Sequence, residues 1–332
     1  MNLKTGIAVV GTILVDKLYE LKAYPQSGEL AKIEGVSFSV GGMVPNDSVD
    51  IKKIAPQLPV IAVGKVGNDD DGRFAVQTMM NNEVDVSGVS FSAEEKTSFT
   101  DVMSVIGGQR TFFTYPGASA TFGYDDIPWD TLKCKMFHLG YFLLLDKIDN
   151  GDGLKILKEA KQRGFLTSID MVSENSNRYS CVIPCLPFVD NLIVNELEAS
   201  RLCGMEYDGS NLSDISQKLM GFGVTQRVII HTPELSVCRS CDEYIELPSS
   251  KLIDGYVKGK TGAGDTFCSG ALIGIYYEKS NIEILEYAQM AAEASLSTVD
   301  ATSGLVPLDE LKVLSKKNQE KRVGTKYVSY FN

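Results

Sequence analysis

Short apolar runs alternate with amphipathic segments along most of the chain. Six runs have the apolar character of buried strands: 7–10, 60–63, 136–139, 166–169, 191–194 and 227–231. Between them, four segments place apolar residues at helical spacing: 71–82, 151–164, 196–203 and 214–222. Buried strands that alternate with helices are typical of a parallel sheet covered by helices on both faces. The pattern therefore predicts an α/β fold with a mainly parallel sheet.

Two stretches, 14–40 and 97–115, depart from this rhythm. In the second, an alternating run over 102–106 is followed by Gly107-Gly108 and by another such run over 111–115. A glycine pair between alternating runs predicts a β-hairpin, and half-exposed strands of this kind do not fit a buried parallel sheet. Since no repeat or long linker divides the sequence, we predict one domain, 1–332, with both stretches inserted in the α/β core.

Composition narrows the classes of partner. The chain has 332 residues, 44% of them hydrophobic, which is enough for a large core. Its net charge of −11 argues against nucleic acid or an anionic membrane as partner, because both demand a basic face. No apolar run approaches the roughly 20 residues of a membrane span, and the first residues lead directly into a strand. A cytoplasmic location is therefore expected.

The seven cysteines are odd in number and irregular in spacing, which predicts reduced thiols. Cys238 and Cys241 form the one Cys-x-x-Cys pair, and His138 and His231 offer no ligand spacing. A zinc site is therefore not predicted. The pair is interpreted as two strand thiols near a turn.

The run from Lys260 to Gly270, Lys-Thr-Gly-Ala-Gly-Asp-Thr-Phe-Cys-Ser-Gly, carries the clearest chemistry. Gly262 and Gly264 allow a tight turn that aims backbone N–H groups at one point, and the apolar helix predicted over 266–277 adds the positive end of its dipole. The turn and the helix together predict a binding site for anionic oxygens. Asp265 beside it is a candidate general base for a substrate hydroxyl. The alternative is an ordinary tight loop with Asp265 as the helix N-cap.

This run resembles the C-terminal signature of the ribokinase-like (PfkB) family of carbohydrate and nucleoside kinases. Further matches follow in family order: the strand 9–15 with Asp16, the Gly41-Gly42-Met43-Val44-Pro45-Asn46 segment, the block 64–72, and the Asn-x-x-Glu motif of Asn195 and Glu198. The matches extend over nearly the whole chain. They predict a three-layer α/β/α core in which 14–40 and 97–115 form a small β lid.

The resemblance also assigns site roles and partners. Asp265 is the expected catalytic base, with Gly262, Ala263 and Gly264 forming the anion hole. The expected sugar-binding residues are Asp16, Gly41, Gly42 and Asn46. The expected nucleotide-binding residues are Asn195, Glu198, Thr232, Gly264, Ser303 and Gly304. ATP is the expected phosphate donor, and Glu198 is expected to hold Mg²⁺ through water. The lid is expected to close over the sugar with its aromatic residues mostly in the lid core, and to support a homodimer.

Three departures from the family pattern bear on function. Gly259 stands where relatives usually have an aspartate that helps to bind a monovalent cation, so activation by potassium is doubtful. Pro233 alters the loop 232–236, which in relatives passes the nucleotide. Met43 stands where sugar-phosphate kinases commonly have lysine, which favours a neutral ketohexose, pentose or deoxy sugar.

Other substrates and two other classes of protein stay open. Nucleosides and sugar acids are alternative acceptors, and a non-catalytic sugar or nucleotide sensor would explain the altered loop. A dinucleotide-binding oxidoreductase would use a similar sheet, but Gly11 is followed by Thr12-Ile13-Leu14 rather than by the Gly-x-Gly-x-x-Gly pattern.

Overall fold

The computed structural model describes residues 4–106, 108, 110–260, 262–298, 300 and 302–318. Gly107 of the predicted hairpin turn and Thr261 of the glycine-rich run lie outside the described residues. In chain order the strands are β1 Ile7–Gly11, β2 Leu14–Leu21, β3 Ile33–Gly41, β4 Val60–Gly67, β5 Asp85–Ser92, β6 Ser98–Val105, β7 Arg110–Tyr115, β8 Met136–Phe142, β9 Leu166–Met171, β10 Asn191–Asn195, β11 Arg227–His231, β12 Leu235–Arg239 and β13 Tyr244–Pro248. The α-helices are α1 Met43–Ile54, α2 Asp70–Asn81, α3 Gly117–Ala120, α4 Gly153–Gln162, α5 Glu196–Cys203, α6 Leu212–Gly221, α7 Ala263–Tyr276, α8 Asn281–Ser295 and α9 Leu308–Asn318.

The larger sheet has the order β13-β12-β11-β10-β9-β8-β1-β4-β5. The pairs from β11 to β5 are parallel, and only β12 and β13 join at one edge in antiparallel pairs. The six predicted strands all lie in the parallel part. The predicted α/β class is therefore confirmed.

Both faces of the larger sheet are buried. Along β10, the side chains of Leu192 and Val194 join one apolar cluster with α4, α5 and α6, whereas Ile193 between them joins a second cluster with α1, α7 and α8. Successive side chains of a strand point to opposite faces, so an uninterrupted apolar strand feeds both clusters. This explains why the predicted strands carry continuous apolar runs.

The smaller sheet has the order β3-β2-β6-β7 and contains the strands predicted within 14–40 and 97–115. β2 pairs with β6 in parallel, and the two outer pairs are antiparallel. The side chains of Phe38, Phe112 and Phe113 are 56%, 62% and 57% exposed. The expectation that these aromatic residues fill the core of the small sheet is wrong for these three. Phe112 and Phe113 are neighbours in β7 and point to opposite faces, and β7 is exposed on both faces.

Candidate active site

The site lies where four neighbouring parallel strands end. The carboxyl ends of β8, β9, β10 and β11 carry Tyr141, Asp170, Asn195 and His231, and these residues line one cavity of about 280 Å³ with Gly262, Gly264 and Asp265. Parallel strands bring their carboxyl ends to the same edge of a sheet, and ligands bind at such edges in open α/β folds. The glycine-rich run and the strand ends thus form one site.

Asp265 lies in the first turn of α7 and is held by side chains from two other elements. Asn46 Nδ2 donates to Asp265 Oδ2 at 2.8 Å, and the Tyr141 hydroxyl donates to Oδ1 at 2.9 Å. Burial raises the pKa of Asp265 to about 6, although both hydrogen bonds act in the opposite direction. The helix N-cap is Gly262, which has no side chain to cap it, so the alternative interpretation of Asp265 as N-cap is wrong.

The turn before α7 requires glycine at one position and leaves room at another. Gly262 has φ of +77°, in the left-handed region that favours glycine. A side chain at Gly264 would meet only His231, at 3.9 Å, so the backbone here faces open space. The first N–H groups of a helix lack partners within the helix. The N–H groups of Gly264 and Asp265 can therefore donate to anionic oxygens at the positive end of the α7 dipole. The Ala263 N–H already donates to Lys260 O at 3.4 Å, so its expected part in the anion hole stays a prediction.

The predicted sugar-binding residues lie where β2 and β3 meet α1. Burial raises the pKa of Asp16 to about 6, and besides burial the charge of Asp16 raises the pKa of Asp265. Gly41 leaves space for Asp16, because a Cβ there would collide with Asp16 Oδ2. Gly42 begins α1 with φ of +83°. Asn46, one turn later, contacts Asp265 directly, and its predicted contact with sugar stays a prediction.

Asn195 and Glu198 form a capping box at the N-terminus of α5. The Asn195 side chain accepts from the Glu198 N–H at 2.9 Å, while Glu198 Oε2 accepts from the Asn195 N–H at 3.0 Å. Glu198 Oε1 also accepts from Ser173 Oγ and Asn195 Nδ2. Burial raises the pKa of Glu198 to about 7. Both carboxylate oxygens therefore have protein partners, and a magnesium contact through water stays a prediction.

A second cavity, of about 480 Å³, adjoins the first and shares Ser173, Asn195, His231 and Gly264 with it. Its other walls include Leu252, Val257, Phe267 and Leu296 on the apolar side and Thr232 and Lys260 on the polar side. Ser303 and Gly304 do not line either cavity, although both were predicted to bind nucleotide. A Cβ at Gly304 would collide with Ala294 O, so this glycine permits close packing on α8.

The loop 232–236 is a tight turn. The Thr232 N–H donates to Leu235 O at 2.8 Å, and the Thr232 hydroxyl accepts from the N–H groups of Glu234 and Leu235. Pro233 thus sits in the connection between β11 and β12, where no backbone donor is needed from it. Thr232 itself is buried against the second cavity.

Sequence analysis missed Tyr141 and Asp170. Both follow predicted strands, so their positions at strand ends were the available signal. Met43, which stands where sugar-phosphate kinases commonly have lysine, lines neither cavity. Its side chain is fully buried, and its Cε lies against Gly140. A lysine at this position would bury a charge in the core rather than reach a bound sugar.

The cysteines and the helices add two smaller findings. All seven cysteines are free thiols, with Cys238 buried in β12 and Cys241 exposed after it.

Within the described ranges, no helix combines the length and the apolar character needed to cross a bilayer.

Comparison with known proteins places these features in one family. The model of the pfkB family carbohydrate kinases matches residues 4–307. The chain is 25% identical to a ribokinase of Arabidopsis thaliana over 295 residues, which covers 86% of this chain and 74% of the relative. It is 26% identical to fructokinase-1 of Oryza sativa subsp. japonica over 261 residues, with coverage of 74% and 78%. The solved structure of an Arabidopsis thaliana ribokinase with ribose and ATP superposes with a TM-score of 0.82 at 23% identity, covering 95% of this chain and 99% of that one.

Proposed function

The chain belongs to the pfkB family of carbohydrate kinases, and on that premise we propose that it transfers the γ-phosphoryl group of ATP to a hydroxyl of a small neutral sugar, with Asp265 as general base. The observation that carries this proposal is the position of Asp265. Its carboxylate accepts hydrogen bonds from Asn46 and Tyr141 at the positive end of α7, beside the open backbone of Gly264.

The chemistry follows from that placement. Asp265 accepts the proton of the sugar hydroxyl as the hydroxyl oxygen forms a bond to the γ-phosphorus, and the bond from that phosphorus to the bridging oxygen of ADP breaks. The N–H groups at the start of α7 stabilise negative charge on the transferring phosphoryl oxygens. Tyr141 stays a donor to Asp265, because burial raises the pKa of its hydroxyl well above the usual range.

The second cavity suits the nucleotide. Its apolar wall of Leu252, Val257 and Leu296 can take the base, and Lys260 lies at its polar side near the start of α7. Magnesium prefers oxygen ligands and retains waters, which fits the carboxylate of Glu198 and the amide of Asn195. The ion would neutralise phosphate charge, while these two residues would orient its water ligands.

The charge near Asp265 supports a neutral sugar as acceptor. Besides burial, the charge of Asp16 raises the pKa of Asp265, so two carboxylates act on the proposed substrate region and would repel a substrate phosphate. Asp16 can accept from two sugar hydroxyls. Nucleosides and sugar acids are the alternative acceptors, and a sensor that binds sugar or nucleotide without turnover is the non-catalytic alternative.

One experiment tests these proposals together. ADP release is measured with Mg·ATP and a panel of ketohexoses, pentoses, deoxy sugars, sugar acids, nucleosides and sugar monophosphates. We expect the highest kcat/KM with a neutral sugar. A sugar monophosphate with a higher kcat/KM than the best neutral sugar would overturn the assignment of acceptor. Nucleotide binding with no ADP formed in the presence of any acceptor would favour the sensor.

The small sheet is proposed to act as a lid over the sugar and as the contact of a homodimer in the cytoplasm. The exposed side chains of Phe38, Phe112 and Phe113 support this, because exposed aromatic groups on one small sheet are unusual for a free surface. Sedimentation velocity of the protein with and without sugar tests it. A monomer under both conditions at tens of micromolar would count against the dimer.

A further inference from the structure

Four buried side chains with the chemistry of metal ligands meet behind Asp265. They are Asp47 from α1, His138 from β8, Asp170 from β9 and Cys268 from α7. Each offers one ligand atom, and the four atoms all lie within 4.8 Å of one another. The four residues are distant in sequence, so only the fold brings them together. The roles proposed above for phosphoryl transfer use none of them.

The distances from the His138 ring match a tetrahedral centre. His138 Nε2 lies 3.6 Å from Asp47 Oδ2, 3.7 Å from Asp170 Oδ2 and 3.6 Å from Cys268 Sγ. Zinc bonds of about 2.0–2.3 Å at tetrahedral angles place neighbouring ligand atoms roughly 3.3–3.6 Å apart. The two separations between nitrogen and oxygen are too long for strong hydrogen bonds, and the separation between sulfur and nitrogen is that of a weak thiol hydrogen bond. All three fit atoms arranged around one ion.

The other polar atoms of the cluster are already oriented. His138 Nδ1 is 2.9 Å from Ser168 Oγ, which leaves Nε2 to point into the cluster. Asp170 Oδ1 accepts from the Tyr141 N–H at 2.5 Å, which leaves Oδ2 for the same point. Metal ligands usually have such outer partners, which fix the ring and the carboxylate.

Asp47 supplies the independent observation that points to a ligand. Its side chain is fully buried, and among the described residues neither of its oxygens has a nitrogen or oxygen donor at hydrogen-bond distance. The thiol that contacts it, Cys268, is itself a member of the cluster. An unpaired carboxylate in the interior is costly, and buried charges normally either pair or coordinate a metal. A cation held between Asp47 and the other three side chains would remove that cost.

We propose that Asp47, His138, Asp170 and Cys268 bind a divalent ion of the zinc class. Thiolate and imidazole ligands favour Zn²⁺ over Mg²⁺ or K⁺, which prefer oxygen atoms. On binding, the Cys268 thiol releases its proton to solvent as the bond from sulfur to metal forms. Asp170 and Cys268 also line the 280 Å³ cavity, which provides the ion with a route from solvent. The ion would lie behind the catalytic carboxylate as a structural centre that ties α1 and α7 to the sheet.

Metal analysis and cobalt spectroscopy of the full chain test this proposal. We expect about one zinc ion per chain after purification without chelators, and a lower melting temperature after the ion is removed. Co²⁺ added to the metal-free protein should give the charge-transfer absorption of a thiolate ligand. A tenfold excess of Mg²⁺ should not displace it, because Mg²⁺ binds thiolate poorly.

Variants connect the signal to these residues. Cys268→Ala should abolish the charge-transfer band, and Asp47→Asn should weaken Zn²⁺ binding by about tenfold or more in competition with a chromophoric chelator. Cys238→Ala is the matched control, because Cys238 is equally buried in the same apolar cluster but lies outside the group of four. It should keep full metal content and the full cobalt spectrum.

The wild-type protein alone can overturn the proposal, even if the variants fail to fold. Folded, metal-free protein that takes up neither Zn²⁺ nor Co²⁺ at tens of micromolar would show that the cluster is not a metal site. A cobalt spectrum without a thiolate band, or one that persists in Cys268→Ala, would equally exclude the proposed ligand set.

Discussion

At the scale of single residues, Asp265 has to be ionised before it can accept a proton from a sugar. Burial raises its pKa to about 6, so the fraction in the base form falls as the pH drops through that value. We therefore expect kcat/KM to be constant above about pH 7 and to decrease about tenfold per unit well below pH 6. A pH profile of kcat/KM for a neutral sugar measures this directly, because kcat/KM reports the pKa of the base before the sugar binds.

Replacing Asp265 tests the same role without a change of pH. Asp265→Asn keeps the shape of the side chain and removes proton acceptance, so turnover should fall by roughly 10²-fold or more. Sugar and nucleotide binding, followed by calorimetry, should stay close to wild type. A variant that keeps more than about a third of wild-type turnover in a chemistry-limited assay would exclude Asp265 as the base.

Tyr141 is the proposed positioning residue for that base. Its hydroxyl donates to Asp265 and stabilises the ionised form, so the bond lowers the pKa that burial raises. Tyr141→Phe should lower kcat by about tenfold and move the acid limb of the pH profile upward by about one unit, the scale of one hydrogen bond to a charged group.

The control for this variant is Tyr179→Phe. The Tyr179 hydroxyl is buried too but donates to Glu174 O, away from Asp265. Tyr179→Phe should cost stability and leave the acid limb unmoved. If the acid limb of the pH profile is unmoved in Tyr141→Phe too, the Tyr141 hydroxyl contributes to folding and not to the pKa of Asp265.

The sequence predicts some residues of the site better than others, for a physical reason. Asp265, Gly262 and Gly264 lie within one turn, so their local order is enough to predict an anion site. Tyr141 reaches Asp265 across 124 positions of sequence, and the metal-ligand cluster joins four separate elements. Such contacts depend on which strands are neighbours, which a single sequence does not display.

At the scale of elements, two helices begin with the same capping box in different surroundings. Asn195 and Glu198 close α5 at the cavity, while Ser280 and Glu283 close α8 at an exposed position. Asn195→Ala and Ser280→Ala should each lower the free energy of unfolding by about 1 kcal/mol. Only Asn195→Ala should also impair turnover, because the freed Glu198 carboxylate and the Mg²⁺ waters lose their orientation.

Urea denaturation and kinetics on the two variants measure both effects. Equal losses of turnover at equal losses of stability would mean that Asn195 acts only as a helix cap. The comparison is sharpest with magnesium varied, since Asn195→Ala should then raise the Mg²⁺ concentration needed for half-maximal activity, and Ser280→Ala should not.

The helices show where periodicity works as a signal. The predicted segments 71–82 and 196–203 match α2 and α5 to within one residue, because each has one polar face. The helix α1 was not predicted: it follows the paired glycines and buries Asn46, Asp47, Ser48 and Asp50. A run of buried polar residues resembles a loop by composition. The buried side chains of α1 include polar ones because the helix packs against the candidate site, where Asn46 contacts Asp265, as well as against the apolar core.

At the scale of the whole molecule, the sequence predicts the two sheets but not how they join. The parallel pairing of β2 with β6 brings Leu14 opposite Ser98, although 84 positions separate them. The alternation in both stretches already indicated that they lie outside the parallel sheet. Their pairing was implied by the family resemblance alone, because parallel strands have no connecting turn to reveal the register.

The last prediction concerns monovalent cations and depends on how the loops around α7 are held. Gly259 supplies no carboxylate for a cation, and the adjacent Lys258 N–H already donates to Leu296 O at the end of α8, at 2.8 Å. A potassium ion would have to lose its water for a site with little anionic attraction left.

We expect kcat at saturating Mg²⁺ to differ by less than about threefold, or about 0.7 kcal/mol in barrier, between potassium and tetramethylammonium at equal ionic strength. Activation by potassium of tenfold or more would show that backbone carbonyls or another side chain replace the missing carboxylate of Gly259.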